Sequence, residues 1–291
     1  MIYKEKIINF HCDDDLLFGI LALPSSPSNV GVLVVVGGPQ YRVGSHRQFL
    51  QLSRVMATSG FAVFRFDVRG MGDSEGELKG FQHISLDIEA AKKAFLLAVP
   101  YVKTVVLWGL CDGASAALLY CHHYKDPQVS GLCLLNPWIR SEKSLALSTI
   151  KNYYTKRFIE LDFWRKLIRG GILKNAVFEF YINIKTILTS RIKKLFSGIF
   201  SENKILQKKE YQNHMAQAWS TFEGKILLFL SKNDFVAKEF IDHINGNNEW
   251  NLKNKSLNYT CYEIASADHT FTDFSAQNFV EEKTIQWIKS F

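Results

Sequence analysis

The sequence predicts an α/β fold, a mostly parallel central sheet with helices on both faces and a helical insertion. Three observations carry that expectation. Strand-like and helix-like stretches alternate through the first 150 residues, a different pattern occupies residues 144–215, and the alternation then resumes. A β-α-β-α order favours a parallel sheet, because right-handed crossovers lay the helices back against it.

The elements follow in order. KEKIINFHC and LLFGILALP read as an antiparallel hairpin, joined through the turn-forming CDDD. VGVLVVVGG is a continuous apolar run ending in glycines, the pattern of a strand buried on both faces. SHRQFLQLSRVMATSG places Phe49, Leu52, Val55 and Met56 at helical spacing and closes on Gly60. FAVFRFDVRG is then a strand, HISLDIEAAKKAFLLAV a helix and TVVLWGL a buried strand. The alanine-rich stretch after Cys111 continues as a helix, and VSGLCLLNP supplies the next strand.

Residues 144–215 are helical in period, with aromatic and basic residues interleaved and Gly170-Gly171 as a break. Residues 151–215 hold 14 Lys and Arg against 5 Asp and Glu, a net of +9, which leaves −2 of the total +7 for the rest. The basicity therefore belongs to one segment. Sheet pattern returns with GKILLFLSKND, a helix and loop in KEFIDHINGNNEWNLKN, the strand NYTCYEIASADH and the closing helix AQNFVEEKTIQWIKSF. This is the image of a core over residues 1–143 and 216–291 carrying a cap insertion at 144–215.

Other classes are disfavoured. No apolar run reaches the 18 residues of a spanning helix, and the N-terminus is charged where a signal peptide needs an apolar stretch. A cytoplasmic location is the resulting expectation. The five cysteines are scattered, without C-x-x-C pairs or zinc-ligand spacing, so neither a disulfide framework nor a metal is expected. No cofactor is expected either. The basic segment matches no nucleic-acid-binding module, so no nucleic-acid partner is expected.

The chemistry centres on G-L-C-D-G, Gly109 to Gly113, between a strand and a helix. A nucleophile elbow needs that context: glycines relieve the tight turn while the central side chain is held outward. The helix N-terminus favours a thiolate at Cys111, and Asp112 opposes it. The competing reading of the pentapeptide is a cysteine filling a close-packed corner. Asp234 and His269 each follow a strand, and Cys111, Asp234 and His269 all fall at C-terminal strand ends, where open α/β sheets place their sites. A thiol nucleophile needs such a base and a group orienting it. Asp242, on a helix, and Asp268, beside His269 in sequence, are weaker candidates for the acid.

His11, His83, His122, His123, His214 and His243 read as surface or structural residues, whereas His46 follows the glycine-rich strand end and is placed to face a pocket. An oxyanion hole needs two N–H donors. Asp112 N–H supplies one. In GGPQYRVGSHRQF, Pro39 has no N–H, which leaves Gly38 or Gln40, with Gln40 preferred. A plain strand-to-helix turn explains the same glycines. The loop Asp67–Ser74, DVRGMGDS, reads as a brace beneath the site.

Together these pieces resemble the α/β-hydrolase superfamily. GGPQYRVGSHRQF, FDVRGMGDSEG, GLCDGASA and LNPW are similar, more narrowly, to hydrolase 1 of the exosortase A system, a family encoded in bacterial exopolysaccharide loci. The resemblance covers residues 1 to about 140 and 220 to 291. It implies a cysteine nucleophile at Cys111 and a cytoplasmic bacterial enzyme in a sorting or exopolysaccharide context.

The expected reaction is acyl cleavage or transfer from an ester or thioester through a Cys111–His269–Asp234 triad. His46, Trp138, Tyr154, Phe158 and Trp164 are expected to meet the substrate. The cap's lysines and arginines suit a phosphate, a CoA, an acidic acyl-carrier protein or an anionic membrane surface. The alternative is a non-catalytic binding or assembly component that docks through its basic cap.

Overall fold

The computed structural model describes residues 3–38, 40–140, 202–250 and 258–291, with the side chains of residues 202–210 left aside. Contacts divide the chain into two units, Met1–Ile139 with Asn213–Phe291, and Arg140–Gln212. In the second unit, the Tyr211 hydroxyl donates to the Arg140 carbonyl at 2.9 Å.

The first unit is built on one eight-stranded sheet in the order β1-β2-β4-β3-β5-β6-β7-β8. Its strands are β1 (Tyr3–Cys12), β2 (Asp15–Pro24), β3 (Val30–Val35), β4 (Ala62–Phe66), β5 (Thr104–Leu110), β6 (Val129–Leu135), β7 (Lys225–Ser231) and β8 (Tyr259–Ile264). β1 and β2 pair antiparallel in the register Tyr3↔Pro24, and β2 meets β4 antiparallel. From β4 onward every pairing is parallel. The fold class is the one that the sequence pattern predicts.

The helices are α1 (Gln48–Thr58), α2 (Ser85–Ala98), α3 (Asp112–Tyr124), α4 (Glu202–Thr221), α5 (Phe235–Asn245) and α6 (Phe274–Ile288). Each crossover keeps the parallel strands interior, so β3 is buried along its whole length, as are Val105–Leu110 of β5 and Ile226–Ser231 of β7. Apolar side chains on both faces follow from that position. Phe49 of α1 meets Trp108 of β5 edge-on at 5.7 Å, and Trp219, Phe240 and Trp250 form a second aromatic cluster.

Two local departures from the sequence pattern matter. Ser45–Arg47, expected as the first helical turn, forms a separate 3₁₀ turn, with His46 and Arg47 at φ 53° and 60°. Left-handed backbone at consecutive non-glycine residues breaks the helix, so α1 proper begins at Gln48. The loop after Trp250 was expected to continue to Asn254, and residues 251–257 lie outside the described residues. No described helix is long and apolar enough to cross a membrane.

Candidate active site

Cys111 sits between β5 and α3 with φ 54° and ψ −118°. That conformation is costly for a residue with a Cβ and marks a sharp strand-to-helix corner. The local packing shows why glycines flank it. A Cβ on Gly109 would fall 2.5 Å from the Gly113 carbonyl carbon, and one on Gly113 would fall 2.2 Å from the Val35 carbonyl oxygen. The corner is tied to β6 by Cys111 N–H donating to the Leu135 carbonyl at 2.8 Å. Trp138 N–H donates to the Cys111 carbonyl at 3.3 Å, and the Ser115 hydroxyl to the Trp138 carbonyl at 2.6 Å. Trp138, expected to meet substrate, is thus half-buried against the elbow.

Asp234 caps the N-terminus of α5, its Oδ2 accepting the Ala237 N–H at 3.0 Å. The same oxygen lies 2.9 Å from His269 Nδ1. Burial works to raise the Asp234 carboxyl, but the His269 hydrogen bond and charge and the helix N–H groups outweigh it and hold the group below its ordinary value. A carboxylate at Nδ1 orients the ring and leaves Nε2 as the second, opposite nitrogen. The other acids considered are placed elsewhere. Asp268 accepts the Thr272 N–H at 2.8 Å, and Asp242 lies within α5.

Behind His269 stands a group that the sequence reading missed. Asn136, fully buried and at φ 43°, donates Nδ2 to the Ser231 hydroxyl at 3.0 Å and to the His269 carbonyl at 2.9 Å. Its Oδ1 accepts the Ser231 N–H at 2.9 Å, and the Ser231 hydroxyl donates onward to the Asp268 carbonyl at 2.8 Å. One amide therefore joins the ends of β6 and β7 to the histidine loop. The signal in the sequence was Asn-Pro directly after a buried strand.

The facing loop follows β3. A Cβ on Gly37 would lie 2.0 Å from Gly113 N and 2.6 Å from Asp112 Cβ, so Gly37 is the residue pressed onto the elbow. Gly38, at φ 62°, has its Cβ position 3.6 Å from Asp112 Oδ2. The Gln40 side chain donates to the Ser45 hydroxyl at 3.1 Å, and Pro39 lies outside the described residues. Asp67, fully buried, anchors this loop by accepting the Arg42 N–H and pairing with the Arg42 guanidinium, which also reaches Asp73. Asp67 thus braces the loop after β3 as well as its own turn.

Asp112 begins α3, where N–H groups lack intrahelical acceptors. Burial pushes its carboxyl upward, against the opposing pull of His269 and of the Cys111 thiol, whose Sγ lies 3.9 Å from Oδ1. His46 is exposed. Tyr154, Phe158 and Trp164, like all of residues 141–201, where most of the expected cap falls, lie outside the described residues. Of the remaining histidines, His122 stacks on His214 at 4.1 Å and His243 packs edge-on against Trp250 at 6.1 Å. His11 and His83 are exposed. Among the described residues no group of three His, Cys, Asp or Glu is placed to hold a metal ion.

An eight-stranded sheet with one antiparallel edge, a strained elbow after β5 and an acid–histidine pair from the ends of β7 and β8 define an α/β hydrolase. The chain belongs to the serine aminopeptidase S33 family (Hydrolase_4), whose model matches residues 29–240. It is a hydrolase with Cys111, not serine, at the elbow. Among solved structures it is similar to the esterase Pf2001 of Pyrococcus furiosus, with a TM-score of 0.64 at 16% identity over 99% of this chain and 93% of that one. The dienelactone hydrolase of Anabaena variabilis gives 0.62 at 12% identity, over 100% and 99%. Est1E of Butyrivibrio proteoclasticus, solved with ferulic acid bound, gives 0.61 at 13%, over 97% and 99%. At such identities the likeness is one of fold. A search of curated protein sequences finds no match.

Proposed function

We propose that the protein cleaves or transfers acyl groups from esters or thioesters through an acyl-enzyme on Cys111. The observation that carries this reading is the Cys111 backbone, whose strained φ 54° and ψ −118° hold a nucleophilic side chain at a strand-to-helix corner. His269, oriented by Asp234 at 2.9 Å, takes the thiol proton on Nε2. The thiolate attacks the acyl carbonyl, and the departing alcohol or thiol takes the proton back from His269. Water or another acceptor, deprotonated by His269, then releases the acyl group and restores the thiol. Asp112 N–H and an N–H from Gln40, or from Gly38, hold the oxyanion in both steps.

Thiolate catalysis suits activated esters, thioesters and lactones better than amides, because an amine leaves poorly without strong protonation. The fold neighbours include proteins named as esterases, which favours ester chemistry. The net +9 of residues 151–215 favours an anionic donor, such as an acyl-CoA or an acyl group on an acidic carrier protein, or contact with anionic lipid. The resemblance to the exosortase-associated hydrolase 1 family favours a bacterial exopolysaccharide or protein-sorting setting, with the enzyme acting in the cytoplasm.

The test is a panel of p-nitrophenyl esters, acyl-CoAs and acyl-carrier donors given to the wild-type protein and to Cys111→Ala. At least one donor turns over in the wild type and falls to background in the variant. Equal rates in both proteins across the panel remove Cys111 from the mechanism and leave the binding or assembly reading.

A further inference from the structure

The residue after the nucleophile carries a carboxyl that the triad does not use. Asp112 Oδ1 lies 3.9 Å from Cys111 Sγ, and Oδ2 is 3.6 Å from where a Cβ on Gly38 would stand. The carboxyl therefore spans the gap between the thiol and the loop expected to supply the second oxyanion donor. Gly37, pressed to within 2.6 Å of Asp112 Cβ by the same measure, closes the space on the strand side.

We propose that the Asp112 carboxylate holds the Cys111 thiol in reserve and selects acyl groups bearing a hydrogen-bond donor beside the scissile carbonyl. The inference rests on Cys111 being the nucleophile. An ionised carboxylate only accepts, with about four lone-pair positions, and a thiol is a weak donor. Among the described residues the Cys111 thiol is the single hydrogen-bond donor to this carboxyl. A substrate O–H or N–H is the stronger donor and displaces it. Until then, a negative charge beside Sγ disfavours the thiolate.

The titratable groups acting on Asp112 are the Cys111 thiol and the His269 imidazole. Asp234 stands behind His269, on Nδ1. Burial raises the Asp112 carboxyl, as expected for an under-satisfied acceptor. Once a substrate donor satisfies Asp112, the thiol is free to pass its proton to His269, so bond formation follows recognition. The same charge repels an acyl group carrying its own carboxylate at that position.

The experiment uses the full chain as wild type, Asp112→Asn and Asp112→Ser. Iodoacetamide alkylation of Cys111 is followed by mass spectrometry from pH 5 to 9, with Cys121 and Cys133 as internal references. Both variants are expected to lower the Cys111 inflection by about one pH unit, so that alkylation below it is roughly tenfold faster. In parallel, kcat/KM is compared for p-nitrophenyl 3-hydroxybutyrate and p-nitrophenyl butyrate. The wild type is expected to favour the hydroxy ester by about tenfold or more, and both variants to lose that preference. An inflection that stays in place in both variants, or a preference that survives them, overturns the proposal. Failure of the underlying nucleophile reading looks different: Cys111→Ala then turns over p-nitrophenyl butyrate as fast as the wild type.

Discussion

Replacing Asn136 separates positioning of His269 from the chemistry proposed for it. The side chain is fully buried and makes three hydrogen bonds, to the Ser231 hydroxyl, the His269 carbonyl and the Ser231 N–H. Asn136→Ala strands the Ser231 N–H and the His269 carbonyl in the interior. Leaving such groups unpaired costs about 1–3 kcal/mol apiece, the carbonyl at the lower end. The backbone adds to this, because φ 43° suits asparagine and disfavours alanine by about 1 kcal/mol. The expected loss is about 3–5 kcal/mol, a large part of a typical folding free energy of about 5–15 kcal/mol.

Urea denaturation measures that loss, and Asn136→Gly partitions it. Glycine removes the same hydrogen bonds but accepts the positive φ, so it is expected to be about 1 kcal/mol less damaging than alanine. Activity reads the second consequence. A histidine loop released from Asn136 shifts His269 relative to Cys111, and a displacement near 1 Å costs about 100-fold in rate. Ester turnover at a temperature where the variant stays folded is expected to fall by that order. A variant within about 1 kcal/mol of wild type and fully active would refute the account of Asn136 as the tie between β6, β7 and the histidine loop.

The remaining predictions test neighbouring elements. Asp234→Asn keeps an oxygen for the Ala237 N–H whereas Asp234→Ala does not, so alanine is expected to unfold about 1 kcal/mol more easily. Both variants are expected to lose about 10³–10⁴ in kcat/KM, because His269 is no longer held in the right tautomer. Gly72→Ala places a Cβ 2.1 Å from Asp67 Oδ2 at φ +55°, and a loss of about 2 kcal/mol or more in thermal unfolding is expected. Burial works to raise Asp234, Asp126 and Glu89, yet their hydrogen-bond partners hold each below its ordinary value. Their contribution is complete above the unfolded carboxylate range, near pH 4, and fades as pH falls through the lower folded values. A Tm that drops steeply below about pH 4, and less steeply in Asp126→Asn, is the expected record.

What could be read from the sequence follows the physical range of each signal. Buried parallel strands write themselves as unbroken apolar runs, so VGVLVVV, TVVLWGL and KILLFLS mark β3, β5 and β7 without help from contacts. The positions of Cys111 and Asp234 at strand ends follow from those runs, since a strand boundary fixes which edge of the sheet a residue occupies, whereas His269 follows the half-buried, mixed-polarity β8. The long-range ties are another matter. Asn136 reaches His269 across 133 positions and Arg42 reaches Asp67 across 25, and no local periodicity encodes either contact. Gly37 and Gly38 are adjacent and chemically identical. Only the approach of α3 decides that Gly37 carries the packing, while Gly38 adopts the positive φ. The same limit explains the late start of α1, where apolar spacing allows a helix from Ser45 and the left-handed backbone at His46 and Arg47 forbids it.

The central claim is that Cys111 carries the acyl group. Its resting competitors are poor nucleophiles, since burial and the charge of Asp87 push the Cys12 thiol up to about 12, and burial raises Cys133 and Cys261. The most direct measurement is rapid acid quenching during turnover of p-nitrophenyl butyrate, followed by intact-mass and peptide mass spectrometry. The account predicts a butyryl adduct on the peptide containing Cys111, formed with a burst of p-nitrophenol and abolished in His269→Ala. Turnover with no adduct on Cys111, or an adduct that forms equally well without His269, would contradict it.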